Sequence, residues 1–256
     1  MKKVIGLLGG IAVLALIIVG IRYEMDRGSR WAQSSPEGSF EATTTPPVAT
    51  STPATGNDAA LQAEATQLLD RPVTVDTSLN LSDQVKQMAL QKIKDSTDML
   101  RANYNYANPW YDLGAYRKLI GDYDGAIADW TFVTKIRPND YVALHDLGDI
   151  YAFLKEYPKA ESFYLASIDK NAQNIDAYVE VASIYQYNDT ANSDLIVPLL
   201  LRGIAANPND PRLEIVLGEY DKSIGNITDA KTYLSAALKL APSNTALQQE
   251  LSALGQ

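Results

Sequence analysis

Hydrophobic and polar positions divide the chain into stretches of different pattern. Val4 to Ile21 is an uninterrupted apolar run of eighteen residues, preceded by Met1-Lys2-Lys3. Coiled as a helix, such a run is about 27 Å long, enough to cross the hydrocarbon core of a bilayer. A transmembrane span over 4–21 is therefore predicted, within an anchor of residues 1–27. Residues 28–60 then lose all periodicity and become rich in Ser, Thr and Pro, as in Thr43-Thr44-Thr45-Pro46-Pro47 and Thr50-Ser51-Thr52-Pro53. Too little apolar surface is present there to offset the entropy of ordering the chain, so a disordered, partly stiff tether is expected.

Helical periodicity returns beyond the tether. Leu61 to Leu69 reads as a short helix, and Arg71-Pro72-Val73-Thr74-Val75 as an extended run begun by proline. Leu81, Val85, Met88, Ala89, Ile93, Leu100 and Tyr104 share one face at helical spacing, which predicts an amphipathic helix over 82–104 with Ser82 as its N-cap. Its polar remainder, with Lys86, Lys92, Lys94 and Asp95, suits a capping element over 61–106 that buries one face.

From residue 107 the pattern repeats. Trp110, Leu144, Tyr178 and Glu214 recur at spacings of 34, 34 and 36 residues. Each stands three residues before a pair that ends in a small residue: Leu113-Gly114, Leu147-Gly148, Val181-Ala182 and Leu217-Gly218. A period of this length marks a stack of helix pairs. The units are 107–140, 141–174, 175–210 and 211–244, closed by a capping helix in 245–256. Counting back from Pro208 puts Ile196 and Leu200 in the packing slots of the third unit's second helix, with Pro198 near its start. The two extra residues of that unit therefore fall in its internal turn, near Asn188 to Asp194.

These slots carry a resemblance to the tetratricopeptide repeat (TPR) family, whose pattern is Trp-x2-Leu-Gly-x2-Tyr, then Ala-x3-Phe, then Pro. The first unit supplies Trp110, Leu113-Gly114, Ala126, Trp130 and Pro138. The second supplies Leu147-Gly148, Tyr151, Ala160 and Tyr164, and the fourth Leu217-Gly218, Ala230, Leu234 and Pro242. The resemblance implies an all-α, right-handed superhelical solenoid of antiparallel helix pairs, with about four units plus capping helices. It also implies a binding groove lined by the first helix of each pair. Spacings of four and three along those helices select Tyr111, Ala115 and Lys118; His145, Asp149 and Ala152; Val179, Ser183 and Gln186; and Ile215, Glu219 and Lys222. Members that clamp acidic chaperone tails place Lys, Asn and Arg at such positions. This chain has Tyr111, His145 and Asp149, which fits a basic or aromatic peptide better.

Composition narrows the chemistry. Net charge is −9, and the residues after position 30 carry 17 basic against 29 acidic side chains, or −12. An acidic soluble part disfavours nucleic acid, whose phosphates call for a basic stripe. With no cysteine in the chain, disulfides, thiolate catalysis, zinc–thiolate sites and lipid modification of cysteine are excluded. His145 is the sole histidine, with Asp146 and Asp149 beside it, and no phosphate-binding loop or paired metal motif accompanies it. No cofactor, metal or catalytic residue is expected. The apolar run ends Val19-Gly20-Ile21-Arg22-Tyr23, without a small-residue cleavage site, so an uncleaved single-pass anchor is expected. The N-terminus is expected in the cytoplasm and the array outside it. The resulting expectation is a non-catalytic, membrane-anchored scaffold for protein partners at the cell envelope. Two alternatives stand beside it: an assembly or regulatory factor of a secretion, pilus or wall-building complex, and an enzyme with a site at His145, Asp146 and Asp149.

Overall fold

A computed structural model describes residues 56–255. The predicted span 4–21 and nearly all of the tether lie outside the described residues. Among those residues no helix is long and apolar enough to cross a membrane.

The described residues form helices joined by short connections. They are α1 (Gly56–Leu69), α2 (Asp83–Ala102), α3 (Ala107–Leu119), α4 (Tyr123–Ile136), α5 (Tyr141–Phe153) and α6 (Tyr157–Lys170). They continue with α7 (Ile175–Tyr187), a 3-10 turn (Thr190–Leu195), α8 (Ile196–Ala206), α9 (Arg212–Ser223), α10 (Ile227–Leu240) and α11 (Thr245–Leu254). Helices α3 and α4, α5 and α6, α7 and α8, and α9 and α10 pack as four successive pairs, so the fold is an all-α solenoid. Helix α11 closes the far end, where Leu247 is buried with Leu234 and Ala237.

Short polar side chains set where helices begin. Ser82 Oγ accepts the Val85 N–H at 3.3 Å, Asp122 Oδ1 that of Gly125 at 3.3 Å, and Asp140 Oδ1 that of Val142 at 3.0 Å. Each bond satisfies a donor that the first helical turn leaves without a backbone partner. Pairing within units rests on small residues facing large ones. Tyr164 closes on Gly148, Trp130 on Gly114 and Leu234 on Gly218, with all three large side chains buried.

The N-terminal region does more than cap the array. Helix α1 begins at Gly56, inside the stretch read as tether, and packs on both α2 and α4. Arg101 Nη2 donates to Asp70 at 2.7 Å, and Lys135 Nζ pairs with Glu64 at 2.5 Å. Helix α2 stops at Ala102 rather than 104, because Asn103 turns to extended geometry and the Trp110 indole N–H takes the Tyr104 carbonyl at 2.8 Å. Between α1 and α2, residues 71–81 form a strap across the α3–α4 turn, where the Asp76 N–H donates to the Ile120 carbonyl at 2.8 Å.

The third unit differs from the others in its turn. The 3-10 segment Thr190–Leu195 takes up the extra length, and α8 is three residues shorter than α4, α6 and α10. Ile196 and Leu200 are nevertheless fully buried, so the phase of the second helix is kept.

Candidate functional site

The buried face of each first helix decides which of its positions reach solvent. In α3 the inward residues are Pro109, Trp110, Leu113, Gly114 and Arg117. The opposite side of a 3.6-residue helix then carries Asn108, Asp112 and Ala115, and all three are exposed.

Against this, the residues chosen from sequence fall into two groups. Ala115 is exposed, while Lys118, Asp149, Ser183, Gln186, Glu219 and Lys222 are half-buried. Tyr111, Ala152, Val179 and Ile215 are also half-buried, but they pack against the hydrophobic clusters. His145 is 3% exposed and lies between helices, which corrects its reading as a groove-lining side chain. The cause is its position one residue after Leu144, turned toward α6 and the α6–α7 connection rather than outward.

One position further along the first helices of the first three units lies a row that sequence reasoning passed over. Asp112, Asp146 and Glu180 follow each other at 34-residue steps; Asp112 and Glu180 are exposed and Asp146 half-buried. At the ends of α5 and α7, Phe153 is 58% and Tyr187 is 70% exposed, again 34 residues apart. These residues give the first-helix face of the first three units an acidic and aromatic character. The same 34-residue period, read two positions after Trp110 instead of one, would have found the acidic row.

His145 belongs to a buried polar network. Its Nε2 is 3.3 Å from Asp149 Oδ1, which also accepts the Tyr164 hydroxyl at 2.8 Å. Its Nδ1 is 3.2 Å from the Asn174 amide, which donates to Ser167 Oγ at 2.9 Å, and Ser167 in turn donates to the Tyr141 carbonyl at 2.7 Å. With Asn174 as donor, Nδ1 is the accepting nitrogen and Nε2 carries the hydrogen toward Asp149. The network ties α5, α6 and the start of α7 together. Among the described residues no group of three or more His, Cys, Asp or Glu is placed to hold a metal ion.

A second buried cluster was also missed. Arg117 in α3 lies with Nε 3.4 Å from Asp129 Oδ2 and 3.8 Å from Asp122 Oδ2, all three side chains being buried. Arg71 of the strap reaches Asp122 Oδ1 at 3.6 Å. Burial pushes the Asp129 carboxyl up to about 8; Arg117 and Arg71 pull it down, and Asp122 opposes them. No local pattern announces this cluster, since its members come from three separate elements. At the other end of the array, Lys222 bridges Glu219 at 2.5 Å and Glu250 of the capping helix, and both acids hold its ammonium above the ordinary lysine range.

No family model matches the chain. Over 131 residues it is 22% identical to the general transcriptional corepressor trfA of Dictyostelium discoideum, covering 51% of this chain and only 9% of the corepressor's length. Among solved structures, MamA superposes with a TM-score of 0.51 and 19% identity, covering 68% of this chain and 99% of MamA. YrrB, described as a TPR protein with an unusual peptide-binding site, gives a TM-score of 0.48 and 15% identity over 63% of this chain and 82% of its own. At these identities the likeness concerns the fold. Helix pairs in a 34-residue register, small residues opposite large ones and the superposition on MamA agree: the described part of this chain has the fold of a tetratricopeptide-repeat solenoid.

Proposed function

We propose that this protein is a non-catalytic scaffold, held at a membrane through residues 4–21, whose first-helix face receives a basic, aromatic-bearing peptide segment of a protein partner. The observation that carries this reading is the row Asp112, Asp146 and Glu180, one in each of the first three units, accompanied by the exposed rings of Phe153 and Tyr187. Regularly spaced carboxylates attract cationic side chains over a distance of several ångströms, and exposed rings accept both stacking and cation–π contacts. Solenoids of helix pairs present such rows as extended binding surfaces. The acidic balance of the residues beyond the anchor supports a protein rather than a nucleic-acid partner.

The test uses the detergent-solubilised full-length chain and a fluorescent peptide of alternating Arg and Tyr. Wild type should bind it, and the triple variant Asp112→Asn, Asp146→Asn, Glu180→Gln should bind about tenfold or more weakly. Binding that is equal in both proteins, or absent from wild type, sinks the reading. Protease treatment of intact cells tests the topology: an array protected from external protease lies in the cytoplasm.

A further inference from the structure

Two turns at opposite ends of the array share part of their sequence and their geometry but differ in what covers them. The first helix of unit one ends Tyr116-Arg117-Lys118-Leu119-Ile120-Gly121, and that of unit four ends Tyr220-Asp221-Lys222-Ser223-Ile224-Gly225. Tyrosine, lysine, isoleucine and glycine coincide. Both glycines have positive φ, 85° at Gly121 and 81° at Gly225. The backbone bonds match as well: Gly121 N–H to the Lys118 carbonyl and Gly225 N–H to that of Lys222, each at 3.1 Å. The next pair, Asp122 N–H to Arg117 and Asn226 N–H to Asp221, are both 2.8 Å.

At unit one the strap occupies this turn. Val75 and Leu81 join the cluster around Ile120, and the Asp76 N–H bonds to the Ile120 carbonyl. Asp76 folds back as a turn, its Oδ1 accepting the Ser78 N–H at 2.8 Å, which brings Leu79 over Gly121. A side chain on Gly121 would collide with the Asp76 Cβ and stand 3.1 Å from Leu79 Cδ1. Ile120 is consequently 0% exposed. At unit four the same isoleucine position is 58% exposed, and among the described residues nothing lies within 4 Å of where a Gly225 side chain would begin. The intervening turns do not offer the seat. Unit two places Lys155 in the glycine slot at φ 61°, and unit three carries the 3-10 segment.

We propose that the Ile224–Gly225 turn is a second docking seat, outside the first-helix face, for a partner segment with the chemistry of the strap. Such a segment is extended, with a branched apolar residue followed by an aspartate turn that projects leucine three positions on, as Val75, Asp76 and Leu79 do here. The turn at unit one shows how that chemistry fits: a backbone N–H to the terminal helix carbonyl, close approach over glycine, and burial of isoleucine. Ile224, beside an open glycine, offers the same branched side chain that the strap covers at Ile120.

The probe is a fluorescent peptide copying residues 71–81, titrated onto the full-length chain in detergent. It should bind at one saturable site. Ile224→Ser should weaken it about tenfold or more, the factor carried by one buried branched side chain. Gly225→Asn keeps the positive φ, which asparagine tolerates, but fills the seat and should cost as much. A peptide with serine in place of its leucine should lose binding too, while the Asp112, Asp146, Glu180 triple variant should bind normally. Unchanged binding to Ile224→Ser overturns the proposal, because the peptide is then exchanging with the strap at Ile120. So does an absence of binding to wild type. Concentration-dependent dimers abolished by Leu79→Ser would identify the occupant as a second copy of the chain and overturn the assignment to a separate partner.

Discussion

The ring of Tyr164 lies against the backbone of Gly148 so closely that a methyl group there would stand 2.5 Å from both Cδ1 and Cε1 of the ring. The same ring meets His145 edge-on at 5.2 Å and its hydroxyl holds Asp149, so it has no room to withdraw. Gly148→Ala is expected to destabilise the protein by about 1–3 kcal/mol, the usual range for overpacking a rigid core. Urea unfolding followed by helical circular dichroism measures it; an unchanged midpoint would show that α5 and α6 can part at no cost.

Asn174 supplies the donor that fixes the His145 ring and also serves Ser167. Asn174→Ala should cost about 1–3 kcal/mol, because buried partners lose a bond that no water replaces at once. The resonances of the His145 ring should shift in the same variant. A loss confined to stability, with the ring environment unchanged, would contradict the link through Nδ1.

Asp129 makes stability depend on pH in an uncommon direction. Its folded-state value, about 8, lies above the ordinary value of 3.8. Between these values the folded protein holds a proton that the unfolded chain releases, so the contribution of this group to stability falls as pH rises from about 4 to about 8, and is level outside that window. Asp129→Asn, which remains neutral, should therefore lose less melting temperature than wild type between pH 5 and pH 8. Parallel curves for the two proteins would place the proton elsewhere.

Gly121 and Gly225 form a matched pair for a backbone test. Alanine at either site meets the strain of a left-handed conformation, roughly 1–2 kcal/mol. At Gly121 it also expels Asp76 and Leu79, whereas at Gly225 it enters open space. Gly121→Ala should be the more destabilising by thermal melting, and should open residues 71–81 to limited proteolysis. Equal effects would mean that the strap contributes nothing to the array.

The repeat was legible because its physics is local to each unit. Leu113-Gly114, Leu147-Gly148 and Leu217-Gly218 must each admit a large side chain from the following helix, so the same small residue returns in phase. The first-helix face was read less well. Tyr111, His145, Val179 and Ile215 were assigned to it; of these His145 is buried, and the acidic row Asp112, Asp146 and Glu180 lies one residue further on in the first three units. A shift of one residue turns a helix by 100°, and small-residue slots alone do not fix which flank of a first helix meets the neighbouring unit.

Sequence by itself determined the number and phase of the helix pairs, the cap at Ser82 and the place of the third unit's extra residues, because each follows from periodicity or from one residue's backbone preference. Tertiary structure decided which polar groups are buried and which turns are covered. Arg117, Asp122 and Asp129 meet only when α3 and α4 pack, and Arg71 joins them only when the strap crosses their turn. Ile120 and Ile224 stand in local sequences that share tyrosine, lysine, isoleucine and glycine at matching positions. One is buried and the other exposed because contacts distant along the chain, not propensity, determine what reaches water.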